Sequence, residues 1–284
     1  TLAKVHSLSN VQQYYLCRLT MSSSPRLWPN PPRNSPLPLP SKAVFFSSRE
    51  ISDIQAPKMP EGEQIGLSEL RDFIGEHTFE DGSKVSDQID VQKCRPLLIA
   101  GELANPYRLC DIAAPKMPII PVRLENICRT WADNLDARDI SPGIHHVTIV
   151  RSPGWWENTF ITLLEPSEMK RIVQWLDGSR ANTWAPKRLA EGTIRLESDP
   201  ELMPPSFEQL SWDGVDEKVI PEMPKANGPA LDLATIMVPI NTRIGCYNSR
   251  GRVNRCSHFA QTEFHENMFR RGSSFKWSDM INCL

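Results

Sequence analysis

Seven prolines fall within the sixteen residues 25–40, PRLWPNPPRNSPLPLP. Each ring fixes φ and removes a backbone donor, so this segment cannot form a helix or a central strand. It is expected as an extended, polyproline-like arm, either a stiff strap lying on a neighbour or a linker. Proline is abundant elsewhere too: the chain carries 25 in 284 residues, against about 5% in average usage. Much of the backbone must therefore be irregular and extended.

Charge sets the same end of the chain apart. Residues 1–49 hold Lys4, Arg18, Arg26, Arg33, Lys42 and Arg49, nine serines, and no Asp or Glu. Removing those six bases leaves 26 bases against all 34 acids in residues 50–284, a net charge of −8. Acid-poor termini bearing Arg and Ser are the pattern of organelle import presequences, because a carboxylate opposes movement down a negative-inside potential. Leu8, Val11, Tyr15 and Leu19 add a short apolar stripe at helical spacing. A mitochondrial location is expected, with the plastid as the alternative. The competing reading of this segment is a low-complexity tail with no targeting value.

Composition bounds the rest. Apolar residues make up 40% and charged residues 23%, which excludes a wholly disordered chain, a collagen-like chain and a coiled coil. No apolar run approaches the ~20 residues of a membrane-spanning helix. The best candidate, Leu231–Ile240, contains Asp232 and Pro239. The expected organisation is an N-terminal extension over residues 1–61 and an α+β body over 62–284, with a sub-boundary near 200–230. One octapeptide recurs: Asp53–Pro60 (DIQAPKMP) and Asp111–Pro118 (DIAAPKMP) differ at one position. Two extended straps on equivalent surfaces is one reading, and chance reinforced by proline bias is the other.

Periodicity predicts helices over 68–76 and 167–176, with Ser68 and Ser167 as caps, and over 123–137 and 257–271. Strands are predicted over 144–150 and 159–164, joined into a hairpin by a type II turn at Pro153-Gly154, and over 193–197. Proline-rich passages at 199–205 and 221–229 should wrap this mixed body.

Candidate chemistry is sparse. Cys246, Cys256, His258 and His265 supply two thiols and two imidazoles, a donor set able to hold tetrahedral zinc. Their spacing, Cys-x9-Cys-x-His-x6-His, matches no common finger. On one helix His258 and His265 would also stand about 10 Å apart. A disulfide between Cys246 and Cys256 is a second reading. No other cofactor is expected. His145 and His146 begin a strand and should point to opposite faces, one into the core and one to solvent. Nucleophile-elbow, phosphate-loop, dinucleotide-binding and HExxH motifs do not occur. Tryptophan is common at interfaces. Trp28, Pro31 and Pro32 in the arm, and Trp155 and Trp156 at the hairpin exit, are therefore the expected partner-binding residues, with core packing the rival role for the tryptophans.

The leading expectation is a non-catalytic accessory subunit of a large organellar assembly, of respiratory or ATP-synthase type, with other protein subunits as its partners. Extended straps bury too little apolar area alone to offset the entropy of ordering them. One alternative is a soluble enzyme with a His/Cys site near His145, His146 or the C-terminus. Another is an organellar ribosomal protein. The locally basic, aromatic C-terminal stretch also allows peripheral contact with anionic lipid. The acidic body argues against an extensive nucleic-acid footprint.

Overall fold

The computed structural model describes residues 39–48, 50–135, 145–177, 183–197, 199, 201–214, 217–241, 248–249, 252–268 and 281–284. The arm residues Trp28, Pro31 and Pro32, the apolar stripe from Leu8 to Leu19, and Cys246 lie outside them.

Two long antiparallel strands form the spine. Strand β4 (Met117–Leu135) pairs with β5 (His145–Leu164) from Ile120 opposite Ile161 to Leu135 opposite His145. The earlier strands β1 (Val44–Ser47), β2 (Glu50–Asp53) and β3 (Arg95–Leu98) extend the sheet: β2 pairs β1, β1 pairs the start of β4, and β3 pairs the end of β5. Short strands β6 (Trp184–Lys187), β7 (Thr193–Arg195), β8 (Leu210–Trp212), β9 (Glu217–Val219), β10 (Ala230–Asp232) and β11 (Val238–Asn241) follow. Of these, β7 joins the middle of β4 and β10 joins β7, whereas β11–β6 and β8–β9 are separate two-stranded ribbons. A last ribbon pairs β12 (Asn248–Ser249) with β13 (Arg252–Val253).

The sheet is buried on both faces. Phe45, Leu98, Ile120 and Ile161 face one core, into which α1 (Leu67–Gly75) inserts Leu70, Phe73 and Ile74 and α2 (Val85–Gln88) inserts Val85. Val44, Phe46, Leu97 and Phe160 face the other, against Leu109 of α3 (Pro106–Asp111) and Met169, Ile172 and Val173 of α4 (Pro166–Trp175). Fully burying such a side chain contributes about 1.5–3 kcal/mol. The result is an α+β body, as expected. Among the described residues no helix is long and apolar enough to cross a membrane.

Several local expectations are corrected. Residues 123–135 are strand rather than helix. Leu124, Ile127, Cys128 and Trp131 are all buried, and their helix-like spacing has two causes. The strand is covered on both faces, and Asn126 (φ +64) shifts the alternation at a bulge. Pro153-Gly154 also makes no hairpin. Glu125 is opposite Trp156 and Ile127 is opposite Arg151, so one β4 residue faces the four residues Ser152–Trp155. Gly154 (φ +78) donates its N–H to Asn126 Oδ1 at 2.9 Å, and the chain continues as one strand. Helix α1 is capped by Gly66 with Glu69 receiving its N–H, and α4 begins at Pro166 after Glu165, so neither Ser68 nor Ser167 is the cap. The C-terminal helix shortens to α5 (Gln261–Glu263), continued by a π turn over Phe264–Met268. The two octapeptides flank β1, the first through Asp53 opposite Val44 and the second through Met117 and Pro118 opposite Phe46 and Phe45. Opposite ends of the repeat are used, so the two copies do not occupy equivalent surfaces.

Candidate functional site

The bulge in β5 turns its residues toward the proline-rich straps. Trp155 is fully buried, with the Arg255 guanidinium 4.4 Å from its ring centre and the edge of His258 at 5.4 Å. Arg255, itself 2% exposed, forms an ion pair with Glu217 of β9 and donates Nη2–H to Ser152 Oγ at 2.8 Å. A buried guanidinium is tolerated only when paired and hydrogen-bonded in this way. Val219 of β9 packs over Gly154, where a side chain would meet it at 3.5 Å. The β8–β9 ribbon is thereby fixed to the sheet.

Proline removes donors from a strap but leaves its carbonyls, and the body binds those carbonyls from beneath. Trp156 Nε1–H donates to Met203 O at 2.9 Å and Asn158 Nδ2–H to Asp199 O at 2.7 Å. Arg123 Nη2–H donates to Pro224 O at 2.7 Å, and His258 Nε2 lies 2.8 Å from Pro205 O. Because that carbonyl can only accept, the His258 proton sits on Nε2. Burial holds the His258 pKa below its usual value, which favours this neutral ring.

With its carbonyls turned inward, the strap displays side chains. Met203 is 75% exposed, Phe207 46% and Ile220 63%. Ile220 N–H donates to Gln209 O, two residues from Phe207, so Phe207 and Ile220 lie on neighbouring segments of one ledge, which runs back along the chain to Met203. Residues 197–222 carry eight acids and one base. Glu197, Asp213 and Glu217 are paired with Arg123, Lys218 and Arg255. Asp199, Glu201, Glu208 and Glu222 are exposed and form no ion pair among the described residues. The ledge also holds one guanidinium of its own chain: Arg252 of β13 lies 5.5 Å from the ring centre of Phe207 and 5.9 Å from that of Trp212.

The other end of β5 carries the histidines. Both are buried, His145 at 0% and His146 at 1% exposure, which corrects the expectation of one exposed ring. The reason is the cover on both sheet faces. His145 Nδ1 lies 3.0 Å from Ala132 O and so carries the proton. Burial pulls its pKa down to about 4. The neutral ring presents a bare Nε2, and His265 Nδ1–H donates to it at 2.9 Å. Phe264 packs edge-on against the His145 ring at 4.8 Å. On the opposite face His146 Nδ1 stands 3.5 Å from Glu102 Oε1, both fully enclosed, with the Trp184 ring edge-on at 5.7 Å. Neither of those two atoms has a hydrogen-bond partner among the described residues. A shallow pocket of about 230 Å³ is lined by Ala190–Thr193, Asp232 and Ala234, away from these histidines.

The four residues considered for zinc are not brought together as far as they are described. Cys256 is a free, partly buried thiol, His258 binds the Pro205 carbonyl, and His265 binds His145. Among the described residues no group of three or more His, Cys, Asp or Glu could hold a metal ion. Trp155 and Trp156 are enclosed by the chain itself, at 0% and 5% exposure; they hold the strap whose outer side forms the ledge. Sequence reasoning missed Met203, Phe207 and Ile220, and read Arg252 only as part of a basic C-terminal stretch. The available signal was the acid density of 197–222, interleaved with aromatic and apolar residues. No protein-family model, curated protein or solved structure matches this chain.

Proposed function

We propose that the chain is a non-catalytic accessory subunit of a large organellar assembly, a mitochondrial complex of respiratory or ATP-synthase type. The observation that carries this reading is the ledge. The body uses donors from buried Trp156 and Arg123 and half-buried Asn158 to hold extended chain whose apolar side chains remain exposed. Several large apolar side chains left exposed on one held strap are the kind of surface that other proteins cover. The carboxylate-free residues 1–49 support organellar import. Depleting the chain from cells is the test. Loss of assembled complex, with unchanged activity in each complex that remains, is expected. Unchanged complex levels would contradict the reading.

The second reading, an enzyme, is favoured by one observation, the enclosed His146–Glu102 contact, whose two facing atoms form no hydrogen bond among the described residues. It predicts stoichiometric metal or a turnover lost in Glu102→Gln. Metal-free protein with no such turnover excludes it.

A further inference from the structure

We infer that the ledge formed by residues 199, 201–214 and 217–222 receives an extended, arginine-bearing segment of a protein partner, one poor in carboxylates. The inference rests on the accessory-subunit reading and names the partner chemistry of that surface. Three observations converge. Asp199, Glu201, Glu208 and Glu222 line the ledge exposed and without ion pairs among the described residues, so an approaching polypeptide is selected for positive charge. Met203, Phe207 and Ile220 stand uncovered between them, so the partner must also supply apolar contacts. The third is the chemistry the surface already performs: Phe207 and Trp212 accept the Arg252 guanidinium on their ring faces. Planar guanidinium stacks on aromatic rings and pairs with carboxylates in ways an ammonium cannot reproduce. Nucleic acid and anionic lipid, both carrying phosphate, are repelled by the same carboxylates.

The test uses the full chain and a labelled, amidated sixteen-residue peptide of Arg, Leu, Pro and Ser, containing four arginines and no carboxylates. Binding is read by fluorescence anisotropy. Replacing every arginine by lysine is expected to weaken binding about threefold, and by glutamate to abolish it. The double variant Glu201→Lys/Glu208→Lys should weaken wild-type peptide binding about tenfold, and Phe207→Ser about threefold. All these positions are exposed, and an unchanged thermal melt confirms that each variant is folded. Binding should fall at least about fivefold between 50 and 300 mM salt.

Equal binding by wild type and the charge-reversed variant overturns the inference. So does equal binding of the glutamate peptide, or co-sedimentation of the chain itself with vesicles of anionic lipid that is lost in Phe207→Ser. The two readings fail separately. Peptide binding that ignores the ledge variants defeats this inference while leaving the chain an assembly subunit. A chain found in no assembly defeats the accessory-subunit reading whatever the peptide does.

Discussion

The Arg255 guanidinium lies 4.4 Å from the ring centre of Trp155, deep beneath the β8–β9 ribbon. The same guanidinium pairs with Glu217, which is also buried. Arg255→Leu leaves that carboxylate enclosed and unpaired, at a cost of about 3–5 kcal/mol. The double variant Arg255→Leu/Glu217→Leu should recover most of the loss. Urea denaturation of the three proteins measures both effects.

Acid should weaken the fold through His145. Its folded pKa is lowered to about 4 from 6.5, first by burial. The unfolded chain therefore binds a proton at a pH where the folded chain does not. The resulting stability is complete above about pH 6.5 and is lost as pH falls toward 4, by an amount on the order of 3 kcal/mol. His77 and His258 are shifted in the same direction by burial. Denaturation midpoints between pH 7 and 5 should fall for the wild type and fall less for His145→Gln. Parallel slopes would remove His145 from the account.

Two glycines with positive φ give a matched pair. A Cβ on Gly192 (φ +89) would stand 2.1 Å from Ile127 Cδ1, whereas one on Gly82 (φ +83) would meet nothing within 4 Å. Gly82→Ala should cost about 1 kcal/mol, the backbone penalty alone. Gly192→Ala adds overpacking and should cost about 2–4 kcal/mol. Thermal melts of both variants separate the two contributions.

The strap is held by its carbonyls, and Trp156→Phe removes one donor, the Nε1–H to Met203 O. The expected loss is about 0.5–1.5 kcal/mol. Cleavage by a glutamate-specific protease at Glu201 should accelerate. Global stability changing with no change in strap cleavage would contradict the role given to Trp156.

Burial pushes the Cys128 thiol up to about 12 and the Cys256 thiol well above its usual range. A thiolate is the reacting species, so fully buried Cys128 should not react with iodoacetamide in the folded chain at pH 8, and partly buried Cys256 should react more slowly than a free thiol. Both should be labelled in 6 M urea, as mass spectrometry of tryptic peptides would show.

The sequence was most legible where one face of an element is buried. Helices α1 and α4 follow from the spacing of Leu70, Phe73 and Ile74 and of Met169, Ile172 and Val173, because each packs a single stripe on the sheet. Strand β4 was not legible. Its coverage on both faces, combined with the phase shift at Asn126, reproduced a helical spacing. The Pro153-Gly154 pair carried correct information about local backbone, a positive φ at Gly154, but not about direction. Whether such a pair reverses the chain depends on what the partner strand places opposite it, here the Asn126 amide. The pairing of Arg255 with Glu217 spans 38 residues, and that of His145 with His265 spans 120. Contacts at such separations are fixed by topology and leave no local pattern. The ledge was half legible: its acids and prolines stand in the sequence, while its exposure depends on donors reaching it from β4 and β5.

The central claim is that this polypeptide is a subunit completed by other proteins. It is tested most directly by the native mass of the tagged chain in a mild detergent extract of the organelle. The account predicts that it sediments with an assembly many times heavier than its own 32.2 kDa. A compact, protease-resistant monomer of that mass would contradict it.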